Sequence, residues 1–169
     1  MTIAELLTDA FTRIREVVHE AVDGQQPDQL AFRPDEQANS IAWLVWHLTR
    51  IADDHVADAA GTDQVWTSGG WAERFGLPFE PAETGYGHGS AEVAAVQVKS
   101  GELLTGYHDA VYQQTISYVG KLSDQDLDRI VDERWDPPVS LGVRLVSVIS
   151  DDLQHAGQAA YLRGVIARG

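Results

Sequence analysis

The chain contains no cysteine. That excludes a disulfide framework, a thiolate nucleophile and any Cys-based zinc site. Thiol chemistry, if there is any, must use a thiol brought in from outside. Lysine is scarce too. Ten Arg and only Lys99 and Lys121 stand against 26 acidic residues, for a net charge of −14. So negative a surface repels phosphate backbones, and no basic stripe relieves it, which argues against nucleic-acid partners. No apolar run approaches the roughly 20 residues needed to span a bilayer. The opening residues, Met1-Thr-Ile-Ala-Glu-Leu-Leu, lack the basic start and the small-residue cleavage site of a secretory leader. The expectation is a complete cytoplasmic chain with no membrane partner. The preference for Arg over Lys, with abundant Ala, Gly and Asp, points to a GC-rich genome of the actinobacterial kind.

What the chain does have is helical periodicity. Its 169 residues are an ordinary length for one domain, and 44% are hydrophobic. Thr2 and Glu5 form a capping box ahead of Leu6, Ala10, Ile14, Val17, Val18 and Ala21, and Gly24 closes that helix. A second helix is predicted from about Ser40 to Ala60, stopping at Gly61. A third covers roughly Ala91 to Lys121, with Gly101 and Gly106 inside it, and a fourth runs from Ser140 to about Ala167. Before the fourth, Asp136-Pro137-Pro138 ends an extended piece, because residues preceding Pro avoid the α region. The predicted fold class is all-α: an up-down-up-down four-helix bundle occupying residues 1–169, a fold that often builds metal sites between facing helices.

Between the second and third helices lies Trp66–Gly89, with six Gly, two Pro and five aromatics. A connection this long inside a compact domain is usually functional or disordered, and its aromatic content argues against disorder. An ordered flap is predicted, with Trp71, Tyr86 and His88 as candidate substrate-facing residues.

The chemistry concentrates at Asp151 and His155 of the fourth helix. Residues i and i+4 project from one helix face, so this carboxylate and imidazole can grip one ion. His47, within Ile41-Ala-Trp-Leu-Val-Trp-His-Leu, is a candidate third ligand. Three side chains leave an open position on a Zn²⁺-like ion, the arrangement of a catalytic site. Blander readings compete. A lone His on a buried face is more often a hydrogen-bonded core residue, and Asp-x₃-His is common on exposed faces. On a helical wheel Asp152 lies nearest the middle of the apolar stripe of Leu141, Leu145, Val148 and Ile149, while Asp151 and His155 lie at its edge. A core-facing carboxylate needs a partner, and the wheel does not say which of the two Asp residues has one. His19, His55 and His108 read as surface or supporting residues.

Trp46-His47, followed by Asp151-x₃-His155-Ala-Gly-Gln158-x₂-Tyr161-Leu162-Arg163, resembles the DinB/YfiT-like superfamily of metal-binding four-helix bundles. The usual pattern has His where this chain has Asp151. In that respect the chain is most similar to the mycothiol-dependent maleylpyruvate isomerase and mycothiol transferase branch, where Glu takes that place. The resemblance implies His47, Asp151 and His155 as metal ligands and favours Asp151 over Asp152. The metal it implies is divalent, Zn²⁺ first, with Ni²⁺ or Fe²⁺ as alternatives. Gln158 and Asp54 would orient ligands from behind, and Asp152 would support Asp151. The resemblance also implies an external low-molecular-weight thiol such as mycothiol, used for transfer to, or isomerisation of, a small electrophile. Two other classes stay open: a metal-dependent hydrolase, and a non-catalytic metal-binding or homodimerising bundle with its seam on the third helix.

Overall fold

In the computed structural model, which describes all 169 residues, each long helix starts where a side chain or close packing tells it to. Thr2 Oγ1 accepts from the Glu5 amide while the Glu5 carboxylate accepts from the Thr2 amide, and this box opens α1 (Ile3–Val22). After a short α2 (Pro27–Ala31), Ser40 caps α3 (Ile41–Ala60) by accepting from the Trp43 amide. Ser140 does the same for α8 (Leu141–Ile166). Sixteen of the 20 residues of α3 are buried, which makes it the central element. No helix is long and apolar enough to cross a membrane.

The third predicted helix is divided. Residues 90–95 form α6 (Ser90–Ala95), and α7 (Gly101–Val119) begins only at Gly101. Between them Val96 and Val98 are buried while Gln97 and Lys99 are exposed, the two-residue alternation of extended chain. Gly101 sets the start of α7 by close approach: a β-carbon there would lie 2.6 Å from Val22 Cγ1.

The chain is mostly helical, with one small two-stranded sheet. α1, α3, α7 and α8 form the bundle; α8 and α7 each pack between α1 and α3. Side-chain pairs give the directions. Thr49 meets His108 at 3.0 Å, and Ala59 accepts from Tyr118 at 3.2 Å, so α3 and α7 run parallel. Thr12–Tyr112 and His19–Asp109 make α1 and α7 antiparallel. His47–His155 and Asp58–Arg144 make α3 and α8 antiparallel. The arrangement is therefore up-down-down-up, not the expected up-down-up-down. The reason is the connection at residues 61–100, which carries the chain back along α3 before α7 begins. It includes α4 (Val65–Ser68), α5 (Trp71–Phe75) and α6. Val65 contacts Asp53, then Phe79 packs on Trp46, Thr84 reaches His47 and His88 reaches Trp43.

A buried polar unit pins this strap. Asp53 Oδ1 and Oδ2 accept from the Val65 and Trp66 amides at 2.8 and 2.7 Å, and Oδ2 also accepts from Tyr107 Oη at 2.8 Å. The Arg50 guanidinium, fully buried, donates to the carbonyls of Glu83 and Pro81 and to Gln64. At the opposite end, a 3₁₀ turn (Asp124–Asp128) and the antiparallel pair β1 (Ile130–Asp132) and β2 (Val139–Ser140) lead into α8.

Candidate metal centre

His47, Asp151 and His155 converge. One potential ligand atom from each lies within 4.8 Å of the others, and no other group of three or more His, Asp or Glu does so. The two imidazoles meet edge to face with ring centres 4.8 Å apart. His47 Nδ1 lies 2.6 Å from the Thr84 carbonyl, and His155 Nδ1 lies 2.8 Å from the Asp151 carbonyl. A carbonyl can only accept, so each Nδ1 carries the proton and each Nε2 keeps its lone pair free. Trp43 stacks on His47 at 4.6 Å and 15°, which fixes the plane of that ring.

The carboxylate completes a donor set that suits a cation. Asp151 Oδ2 is buried without a hydrogen-bond partner, with His155 Nδ1 3.4 Å away. A buried, partnerless anionic oxygen is costly unless a cation meets it. Burial works against ionisation of Asp151, but the His155 N–H and the nearby imidazoles outweigh it and hold its pKa below the ordinary carboxylate value. Burial lowers the pKa of His47. Burial also opposes charge on His155, yet the Asp151 carboxylate and carbonyl prevail and raise it. Two imidazole nitrogens and one carboxylate oxygen are the ligands of open, three-ligand divalent sites.

Asp151 also lines a cavity of about 650 Å³. Its other walls include Asp54, His55 and Asp58 of α3, Tyr86 of the flap, Trp135 of the β1–β2 connection, and Arg144. Arg144 forks to Asp58 at 3.1 Å and Asp132 at 3.4 Å, while Arg134 holds Asp132 at 2.8 Å. The Arg134 hydrogen bond, with the charge of both arginines, keeps the Asp132 carboxyl well below the usual range.

Of the supporting residues expected from sequence, the structure relocates most. Gln158 is exposed and lines a groove with Pro34, Asn39 and Tyr161, so it does not back His155. Asp54 accepts from Gln64 at 2.7 Å and faces the cavity without reaching His47. Asp152 is 1% exposed, with both oxygens partnerless, and burial pushes its pKa well up. It belongs to the core-facing row with Val148 and Ala156. In the flap, Tyr86 lines the cavity and is 91% exposed. His88 spends both nitrogens on structure: Trp43 Nε1 donates to Nδ1 at 3.2 Å, and Nε2 donates to Glu83 at 3.1 Å. Trp71 packs against Gly106 of α7, where a β-carbon would meet its ring at 2.9 Å. It serves the core and not the site.

Sequence reasoning missed Thr84, because a backbone carbonyl leaves no mark in residue type. It also missed His55, which faces the cavity instead of open surface, and His108, which is 4% exposed inside the bundle. The Arg50 and Asp53 pair did leave a signal: opposite charges three residues apart, with Arg50 the only Arg or Lys of the helix.

The same chain matches known proteins along its length. A solved structure of a conserved protein from Enterococcus faecalis superposes with a TM-score of 0.92 and is 30% identical, covering 100% of this chain and 99% of that one. No curated protein matches. The profile of the mycothiol-S-transferase family matches residues 6–168. That span includes every residue of the His47, Asp151 and His155 cluster, and the chain belongs to the mycothiol-S-transferase family of DinB/YfiT-like proteins.

Proposed function

We propose that the protein is a divalent-metal-dependent enzyme that activates a low-molecular-weight thiol of the mycothiol kind for transfer to, or isomerisation of, a small electrophile. The observation that carries this reading is the pair of free Nε2 lone pairs beside a buried, partnerless carboxylate oxygen. His47, Asp151 and His155 hold the ion, Zn²⁺ first, with Ni²⁺ or Fe²⁺ as alternatives for this donor set. A bound divalent ion lowers the pKa of a thiol in its open position, so that the thiol reacts as thiolate near neutral pH.

The chain's own residues do the rest. The Thr84 and Asp151 carbonyls fix the imidazoles for metal binding. The cavity beside Asp151 takes the remainder of the thiol, with Tyr86 and Trp135 offering ring faces and Asp54 and Asp58 accepting hydrogen bonds. The absence of cysteine from the chain fits a thiol supplied from outside, and the family's name supports S-transfer.

Isothermal titration of the Zn²⁺-loaded protein with mycothiol, bacillithiol and glutathione tests the reading. Saturable binding of at least one thiol, with proton release, is expected. Absence of binding at millimolar thiol, together with metal-dependent hydrolysis of an ester or amide, would replace it with a hydrolase.

A further inference from the structure

Five of the six histidines spend at least one ring nitrogen inside the protein. His19 meets Asp109, His47 meets Thr84, His108 meets Thr49 and His155 meets Asp151. His88 uses both nitrogens, on Trp43 and Glu83. His55 alone makes no hydrogen bond. It is half-buried and lines the cavity of about 650 Å³ that Asp151 also lines. Asp151 pairs with His155 and not with it. An imidazole with both nitrogens free, on the wall of a cavity that opens beside a candidate metal ligand, is available to whatever enters that cavity.

The helix pairing fixes where that imidazole stands. His47 faces His155 and Asp58 faces Arg144 across the antiparallel helices α3 and α8. Between these two pairs Ile51 comes level with Asp151, and both line the cavity. His55 follows Ile51 by one turn, about 6 Å along the axis. Helical side chains lean towards the N-terminus of their own helix. His55 therefore leans back towards the level of Asp151, and Asp151, on a helix of opposite direction, leans towards His55. The charge of each acts on the other.

We infer that His55 is the proton donor to the electrophile, and that the electrophile is one whose oxygen takes up charge when sulfur adds, an epoxide first. The inference rests on the thiol-activating reading of the metal centre. The thiol loses its proton to solvent on binding. Its sulfur then bonds to an epoxide carbon, the C–O bond breaks and the electron pair goes to oxygen. That oxygen takes the proton of the His55 ring, and His55 regains one from solvent, so the product is the hydroxy thioether. The surroundings suit the task. Burial, and after it the Arg144 guanidinium, lowers the pKa of His55 from 6.5, which makes the protonated ring a readier donor. Asp54, Asp58 and Asp151 act in the opposite direction and keep the protonated form within reach. Asp132 and Arg134, on the same cavity wall, are paired with each other at 2.8 Å.

Zn²⁺-loaded wild type and His55→Gln are compared with mycothiol and two electrophiles. Opening of styrene oxide leaves charge on oxygen; 1-chloro-2,4-dinitrobenzene loses chloride, which needs no proton. His55→Gln removes no hydrogen bond, so it should fold, and titration calorimetry should show it binding Zn²⁺ and mycothiol as the wild type does. Its kcat with styrene oxide should fall by about 100-fold, and with the chloro compound by much less. In the wild type the ratio of the styrene oxide rate to the chloro-compound rate should decline as pH rises from about 6 to 8, because the protonated ring is lost. In His55→Gln the ratio should stay flat. Added imidazole should restore part of the styrene oxide rate to His55→Ala. In nuclear magnetic resonance spectra, the His55 ring signals, identified by their absence from the variant, should shift as mycothiol and then styrene oxide are added. Equal losses with both electrophiles, a raised KM with unchanged kcat, or failure of imidazole to rescue would overturn the proposal. So would a wild type that binds mycothiol and leaves styrene oxide unopened, with the thiol reading intact. A wild type that binds no thiol would overturn that reading and this proposal together.

Discussion

Gly85 lies so close to the imidazole of His47 that a β-carbon on it would stand 2.7 Å from Nδ1. Its φ of +92° also belongs to the region that favours glycine. This contact lets the flap deliver the Thr84 carbonyl to Nδ1, 2.6 Å away. A residue on an irregular segment thus orients a candidate metal ligand on the central helix.

Gly85→Ala should displace either the ring or the strap. Metal affinity is expected to fall at least tenfold, about 1.4 kcal/mol, while helix content is retained. Titration against a competing chelator reads the affinity, and circular dichroism reads the fold. An unchanged affinity would show that Thr84 does not set the pose of His47.

The ligand set makes a graded prediction. His155→Ala should abolish stoichiometric metal and Asp151→Ala should weaken binding strongly, whereas Gln158→Ala should bind as the wild type does. The last expectation follows from the exposed position of Gln158. Metal content of untagged protein, measured by plasma mass spectrometry, separates the three.

Metal binding should strengthen as pH rises from about 6 to 8, because the proton competes for imidazole. Burial opposes charge on His155, but the Asp151 groups raise its pKa overall, so the competition extends above the ordinary value of 6.5. For the metal-free protein the sign is reversed. The stability that charged His155 contributes is present below 6.5 and is lost as pH rises through the raised pKa. Chelator titrations and metal-free denaturation curves across this range check both signs.

His108 gives a separate acid signature. Burial lowers its pKa to about 4, while an unfolded chain protonates it near 6.5. A depressed base is neutral when folded, so stability is lost as pH falls from 6.5 towards 4, by about 3 kcal/mol. Urea denaturation of His108→Gln should show a shallower acid limb than the wild type. Parallel limbs would mean that His108 is charged inside the fold.

Asp53→Ala leaves Arg50 buried beside two free strap amides and the Tyr107 hydroxyl. Breaking one member of such a buried unit costs about 3–5 kcal/mol, and the strap that carries Thr84 should loosen with it. Denaturant unfolding gives the stability loss. Protease cleavage within residues 61–89 should accelerate by comparison with the wild type.

The amino-acid sequence by itself determined what depends on near neighbours. Caps at Thr2, Ser40 and Ser140 start three helices because each side chain reaches an amide three residues on. The i,i+4 spacing put Asp151 and His155 on one edge of α8, and the apolar richness of α3 marked it for burial. Only the tertiary structure decided what depends on distant segments. Burial of Val96 and Val98 in extended chain divided the third helix. The strap, anchored by Arg50 and Asp53, returned the chain along α3 and made α7 parallel to it. Packing of α8 against the core turned Asp152 inward and left Gln158 outside. The Thr84 carbonyl reached His47 across 37 residues of chain. Periodicity encodes the face of a helix, but which way neighbouring helices run, and which backbone atom meets a given side chain, is settled by packing between segments far apart in sequence.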